Sequence, residues 1–159
     1  MNGSRFRSRM LAVASAALAV DVATKTAAAT WLADGPVRLG PLVSLRLVHN
    51  RGVAFGVAAA APTPVVVAVT AAVAVVIAVL AWRGELGAPA AAGLVVGGAV
   101  ANVADRLTSG SVVDFVDVGR WPTLNLADVF LVAGLAMLVL TAGTRRSGLD
   151  VPNRTTQEA

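Results

Sequence analysis

The stretch Pro64–Trp82, PVVVAVTAAVAVVIAVLAW, decides the class of fold. It contains no charged residue over 19 positions, close to the ~20 residues that an α-helix needs to cross the hydrocarbon core of a bilayer. Apolar residues make up 57% of the 159-residue chain and charged residues only 14%, whereas soluble domains carry about 25% charged residues. The chain is therefore expected to be an integral membrane protein.

Three further apolar runs complete the layout, so the predicted spans cover about 10–32, 64–82, 86–107 and 124–144. They form a single domain over 1–146, and the polar tail 147–159 is predicted to be disordered. The last uncharged run is short, and extending it back to residue 124 brings Asp128 to the rim of the membrane. A cleaved signal peptide is the alternative for the first run, because Arg5, Arg7 and Arg9 precede its apolar core.

The arginines that flank the spans indicate the orientation. Arg83 lies between the second and third spans, and Arg145 follows the fourth, on the same side as the arginines before the first. The positive-inside rule makes this side, with both termini, cytoplasmic. The connection of about 33–63 then faces outward, and Val43–Leu47 within it alternates apolar and polar residues, as a half-buried strand does. The fold class is an all-α membrane protein of four transmembrane helices with a small β-containing outer loop region.

The third span has Gly93, Gly97 and Ala101 at four-residue spacing, with Gly98 adjacent. A stripe of small residues lets the backbones of two membrane helices approach closely. We therefore expect this span to be in close contact with another helix.

The polar residues of the spans all belong to the outer side. Ionisable residues are costly in lipid and indicate a functional site. Each also has a structural explanation: an i,i+4 ion pair in the first span, a helix-end network in the third, and a capping box at the start of the fourth. The span residues concerned are Asp21, Lys25, Asn102, Asp105, Arg106, Asn125 and Asp128, and Asp114 and Asp117 lie in the short outer connection between the third and fourth spans.

The residue types restrict the chemistry. The chain has no Cys and one His, which excludes disulfides, a thiolate nucleophile and multi-His metal sites. Two carboxylates at a partly desolvated site share a proton, so that one serves as general base on water and the other as general acid. Spacing alone leaves open which of Asp105, Asp114, Asp117 and Asp128 form such a pair.

Four blocks of the sequence resemble, in order, the motifs of the lipoprotein signal peptidases, also called signal peptidase II. They are Asp21-Val-Ala-Thr-Lys25, Asn50-Arg-Gly-Val-Ala-Phe-Gly56, Gly97 to Arg106 followed by Val112-Val-Asp-Phe115, and Leu124-Asn-Leu-Ala-Asp128. Ala101 and Leu124 stand where the family usually has Gly and Phe. Any one block is weak evidence, whereas all four in order are specific.

The resemblance implies a membrane aspartic endopeptidase that cleaves diacylglyceryl-modified prolipoproteins on the N-terminal side of the lipidated Cys. It implies that Asp114 and Asp128 are catalytic and that Asp105 is structural. The other family positions, which bind substrate or support the site, are Asn50, Gly52, Phe55, Asn102, Arg106, Asn125, Asp21 and Lys25. The enzyme is expected to need no metal or cofactor and to act as a monomer in the bacterial cell membrane, with its active site near the outer leaflet.

A small proton-coupled transporter is the competing function, since it would use the same acids as a relay. It predicts polar residues that continue toward the cytoplasmic side, and the second and fourth spans have none there. A nucleic-acid partner is not expected, because the basic residues are dispersed and few aromatic residues are available for stacking.

Overall fold

Four long helices and a small sheet make up the computed structural model, which describes residues 2–51 and 62–147. The helices are α1 (Gly3–Trp31), α2 (Thr63–Trp82), α3 (Pro89–Ser109) and α4 (Leu126–Ser147), and the strands are β1 (Val37–Arg38), β2 (Ser44–Asn50) and β3 (Val112–Asp117). All four helices are long and apolar enough to cross a membrane, which confirms the predicted fold class.

Prolines and glycines mark the helix ends. Pro64 and Pro89 lie in the first turns of α2 and α3, where the missing N–H of proline has no intrahelical partner to lose. Gly110 ends α3 in the left-handed conformation with φ 72°, a conformation that costs glycine little. The chain can therefore leave α3 and enter β3 within three residues.

The three strands form one antiparallel sheet in the order β1-β2-β3. Ser44 pairs with Asp117 and Asn50 with Val112, and the register shifts between Leu45 and Val48. The sheet therefore lies at the end of the bundle where α1 and α3 finish and α4 begins. A strand at β2 was predicted, whereas β3 lies in the short connection between the third and fourth spans, for which no strand was predicted.

α3 is the central helix, and glycines bring its backbone against two neighbours. A Cβ placed on Gly93 or Gly97 would lie 2.6 Å or 2.5 Å from a carbonyl oxygen of α1, and one on Gly98 would lie 2.6 Å from the carbonyl oxygen of Ala127 in α4. Gly134 of α4 approaches α3 in the same way. The predicted close contact of the small-residue stripe with another helix is confirmed, and the stripe contacts both α1 and α4. Ala101 of the stripe is also buried.

The outer faces of α2 and α4 carry large exposed apolar side chains. Val69 and Val75 are 58% and 59% exposed, and Leu140 is 69% exposed. Exposed apolar surface on this scale is unfavourable in water, whereas acyl chains cover it at no such cost. The distribution fits a bundle surrounded by lipid.

Gly97→Ala tests the close contact of α1 and α3. The new methyl group lies within van der Waals overlap of the Ala14 backbone, which cannot move aside without moving α1, so we expect a loss of about 1–3 kcal/mol in the free energy of unfolding. Thermal unfolding in detergent measures it. The control is Gly143→Ala, where a Cβ meets nothing within 4 Å. Equal stability of the two variants would contradict this packing.

Candidate active site

Five elements bring nearly all of the described polar candidates to one end of the bundle. α1 and α3 contribute residues from their C-terminal halves, β2 and β3 contribute one residue each, and the remainder come from the start of α4. The residues that meet there are Asp21, Lys25, Asn50, Asn102, Asp105, Arg106, Asp114, Asn125 and Asp128. Gly52 and Phe55 lie outside the described residues.

Lys25 is a buried cation at the base of this cluster. Its Nζ lies 2.6 Å from Asp21 Oδ2 and 2.7 Å from Asp105 Oδ2, and it donates to Asn102 Oδ1 at 3.1 Å. An ammonium group has three N–H donors and no acceptor, and here it forms ion pairs with two carboxylates and a hydrogen bond with one amide oxygen. The ion pair of Asp21 with Lys25 is the one expected from their spacing, and Asp105 joins it from α3.

Asp21 also fixes the start of α4. Its Oδ1 accepts from the backbone N–H of Ala127 at 2.7 Å, which is one of the four N–H groups that a helix leaves unsatisfied at its N-terminus. Because Asp21 is fully buried, this bond anchors α4 to α1 in the interior of the protein. The carboxylate therefore supports two elements of the site at once.

Asn125 and Asp128 form a capping box. The backbone N–H of Asp128 donates to Asn125 Oδ1 at 3.0 Å, and the backbone N–H of Asn125 donates to Asp128 Oδ2 at 3.2 Å. This reciprocal pair of bonds is the structural explanation that the sequence offered for the two residues. It leaves the other Asp128 oxygen, Oδ1, to accept from Asn102 Nδ2 at 2.9 Å.

Asp114 lies on β3 and accepts from two side-chain amides. Asn125 Nδ2 donates to its Oδ1 at 2.7 Å and Asn50 Nδ2 to its Oδ2 at 2.8 Å. Asn125 therefore contacts both Asp114 and Asp128, which joins the two carboxylates through a single residue. Asp114 is 1% exposed, whereas Asp128 is half-buried.

Burial raises the pKa of Asp114 from its ordinary 3.8 to about 6. Removing a carboxylate from water disfavours its ionised form. The amides of Asn50 and Asn125 lower this pKa, and the nearby charge of Asp128 raises it. The result is a carboxyl group that exchanges a proton close to neutral pH.

Asp117 is held apart from this pair. Its Oδ1 accepts from the backbone N–H of Gly119 at 2.9 Å, and its Oδ2 lies 2.6 Å from Arg46 Nε. The hydrogen bond from Gly119, with a smaller contribution from Arg46, lowers the pKa of Asp117. Of the four acids that spacing left open, Asp105 and Asp117 each have a cationic partner, whereas Asp114 and Asp128 share Asn125.

The strand that carries Asp114 was the element missed from the sequence. Four of the six residues of Val112–Asp117, VVDFVD, are β-branched or aromatic, and this composition is typical of strands. Within residues 2–51 and 62–147, the acidic and histidine side chains form no group of three or more that could hold a metal ion.

Buried carboxylates at one end of a four-helix membrane bundle define the class as an integral membrane protein with an acid–base site. A family model described as signal peptidase (SPase) II matches residues 13–143. The chain belongs to this family, and as a member it is an aspartic endopeptidase of the membrane.

Curated relatives of this chain support the same family. A lipoprotein signal peptidase of Rhodococcus jostii is 41% identical over 142 residues, which cover 82% of this chain and 70% of the relative. One from Mycolicibacterium smegmatis is 38% identical over 162 residues, with 89% and 67% covered, and one from Mycobacterium tuberculosis is 36% identical over 143 residues, with 82% and 69% covered.

Two solved structures share the fold. Both are described as bacterial membrane enzymes determined by the in meso method. The first has a TM-score of 0.72 at 22% identity and covers 94% of this chain and 93% of its own. The second has a TM-score of 0.71 at 20% identity and covers 84% and 91%.

Asp114→Asn tests the burial of the Asp114 carboxyl. The wild type retains a proton on Asp114 that the unfolded chain releases near pH 3.8, so this group opposes folding increasingly as the pH rises from about 4 to 6. Between these pH values we expect the stability difference to shift in favour of the variant by roughly 2 kcal/mol.

Thermal or denaturant unfolding at several pH values measures the shift. Asp34→Asn, which removes an exposed carboxylate from the turn after α1, is the matched control for the loss of one charge. A stability difference between Asp114→Asn and wild type that stays constant over this interval would contradict the shift.

Proposed function

We propose that this protein removes signal peptides from diacylglyceryl-modified prolipoproteins by cleaving the bond on the N-terminal side of the lipidated Cys. The observation that carries the proposal is the pair Asp114 and Asp128, joined through Asn125 at one end of a membrane bundle. The names of the relatives, all lipoprotein signal peptidases, support the substrate class.

The pair carries out hydrolysis without a covalent intermediate. One carboxylate, ionised, takes a proton from water as the water oxygen attacks the scissile carbonyl carbon, and the other, protonated, donates to the carbonyl oxygen. When the tetrahedral intermediate collapses, the first group protonates the leaving amine and the second recovers its proton. Each group thus acts once as acid and once as base, and no net proton is left on the enzyme.

The location of Asp128 supports a substrate held in the membrane. Asp128 lies at one end of an apolar groove of about 340 Å³ along α4, which Leu124, Val129, Val132, Ala133 and Ala136 also line. The groove follows a lipid-exposed face, so a substrate with acyl chains and an apolar signal helix reaches the carboxylate without leaving the bilayer. A soluble peptide would gain little from such a surface.

The arginine distribution supports an active site near the outer leaflet. Arg5, Arg7 and Arg83 lie at the end of the bundle opposite the carboxylates, and the positive-inside rule makes that end cytoplasmic. Both termini are then cytoplasmic.

The remaining positions support the reacting groups in this proposal. Asn50, Asn102, Asn125 and Arg106 orient the carboxylates or line the site, and Asp21, Lys25 and Asp105 hold the helices that carry them. Gly52 and Phe55, from the motif that begins at Asn50, contact the substrate.

Cleavage of a diacylglyceryl-modified prolipoprotein by the purified protein, followed as a gel shift, tests the function. Asp114→Asn and Asp128→Asn should each lower kcat/KM by at least ~10²–10⁴-fold, the usual contribution of a general acid or base. The matched control is Asp117→Asn, three positions along the same strand, which should retain activity because Asp117 is paired with Arg46.

Activity that survives substitution of either Asp114 or Asp128 would contradict the pair. A folded wild type that cleaves no prolipoprotein would overturn the peptidase function and favour the transporter. Size exclusion and thermal unfolding of every variant distinguish loss of chemistry from loss of fold.

A further inference from the structure

The side-chain amides of the site have one allowed orientation, and Lys25 sets that of Asn102. The Lys25 ammonium donates to Asn102 Oδ1, and an ammonium group cannot accept. The amide nitrogen of Asn102 must therefore point the other way, where it donates to Asp128 Oδ1. If the Asn102 amide were reversed, its NH₂ group would face the Lys25 ammonium, donor against donor, and its oxygen would face the Asp128 carboxylate, acceptor against acceptor. Each of these buried mismatches would cost about 1–3 kcal/mol.

The orientation continues into the second amide. Asn102 Oδ1 also accepts from Asn125 Nδ2 at 3.2 Å, so the nitrogen of Asn125 faces Asn102 and Asp114, and its oxygen faces the backbone N–H of Asp128. The Lys25 charge thus sets the direction of the hydrogen bonds that reach Asp128 through Asn102, and the Asp114 carboxylate and the backbone N–H of Asp128 give Asn125 the matching orientation. Asn50 is not part of this series of hydrogen bonds and donates to Asp114 from β2.

The two carboxylates differ in what surrounds them. Asp128 lies in the first turn of α4, where the helix dipole favours negative charge, and it is half-buried beside the groove. Asp114 is 1% exposed and lies on a strand, and the donors that it accepts from in the described part of the chain are the neutral amides of Asn50 and Asn125. Negative charge is therefore better stabilised on Asp128 than on Asp114.

The surrounding charges favour the ionisation of only one of the two carboxylates, Asp114 and Asp128. Among the described residues, Asp21 and Asp105 are paired with Lys25, whose charge acts on Asp128 together with the charges of Arg106 and Asp114. The two cations and the two carboxylates paired with Lys25 balance to zero when ionised. One further negative charge is accommodated by the amides and the helix N-terminus, whereas a second, joined to it through Asn125, is not.

We propose that Lys25 is a positioning residue which, through the amide of Asn102, keeps Asp128 as the ionised carboxylate of the pair and leaves the proton on Asp114. Given the proposed function, Asp128 is then the base that takes the proton from water, and Asp114 is the acid that donates to the scissile carbonyl. The raised pKa of Asp114 agrees with this assignment.

Infrared titration of the purified protein in detergent tests the location of the proton without any substrate. Between pH 5 and 8 the wild type should lose the C=O band of a buried protonated carboxyl with a midpoint at about 6. The band should be absent from Asp114→Asn and present at pH 5 in Asp128→Asn. A band that persists in Asp114→Asn and disappears in Asp128→Asn would place the proton on Asp128 and overturn the proposal.

Lys25→Met tests the positioning role. Without the ammonium, Asn102 is free to reverse, and Asp128 loses its oriented donor and the nearby cation, so a second carboxyl should contribute to the titrating band. In the pH profile of kcat/KM, the acid limb reports the ionisation of the base, and it should move to higher pH by about 1 unit. If Lys25 serves only to hold the helices together, Lys25→Met should lower the yield of folded enzyme, and the acid limb of the pH profile should not move.

Asp105→Asn gives the opposite test and keeps the proposal falsifiable if Lys25→Met does not fold. It removes a competing carboxylate from Lys25 at a side chain that is 26% exposed. The charge on Lys25 then acts more strongly on the site, and the acid limb should move to lower pH. A limb that is unchanged in Asp105→Asn, or that shifts in the same direction as in Lys25→Met, would overturn the proposal.

The two measurements separate this inference from the proposed function. If the wild type cleaves no prolipoprotein, the peptidase function fails while the infrared bands still locate the proton. If cleavage is normal but the bands or the limbs behave otherwise than described, the function stands and the role of Lys25 fails.

Discussion

The burial of one ammonium group between two carboxylates is the constraint on which the site depends. Lys25 is 5% exposed, and a charge in such surroundings is stable only when it is paired and fully hydrogen-bonded. Its partners come from α1 and α3, and Asp21 connects in turn to α4. Three helices must therefore adopt one relative position before the cluster is satisfied. A buried ion pair contributes little net stability, and its main effect here is to define that position.

The helix contacts supply what the polar cluster lacks in stability. Gly93, Gly97 and Gly98 let the backbones of α1, α3 and α4 meet at distances that a side chain would prevent, and in lipid such packing replaces the hydrophobic effect as the source of association. The result is a close-packed frame around a polar interior. A reacting pair needs such a frame, because small displacements of positioned groups greatly reduce the rate.

Much of the fold could be predicted from sequence because the signals were local. Uncharged runs such as Pro64–Trp82 define helices by length and composition, and the glycine spacing of α3 indicates close contact. β3 was missed because it is short and its pairing with β2 depends on residues more than sixty positions away. Without that strand, the spacing of the four acids could not separate Asp114 from Asp117. The motif resemblance named the pair instead, and the functional roles of its members remain predictions. The orientation of the Asn102 and Asn125 amides follows from tertiary contacts with Lys25 and Asp114, which no sequence pattern contains.

The alternation of side chains along β3 has a consequence for how the chain can vary in length. Asp114 lies between Val113 and Phe115, so a slip of one residue against β2 would turn an apolar side chain toward the helices and the carboxylate away from them. The pairing of Val112 with Asn50 fixes the start of the strand, and the pairing of Val116 with both Leu45 and Leu124 fixes its end. Insertions and deletions should therefore be confined to the exposed turn around Gly119 and Arg120. The spacing from Val112 to Asp117 is set by geometry, and lineages that diverge freely in residue identity there should still keep its length.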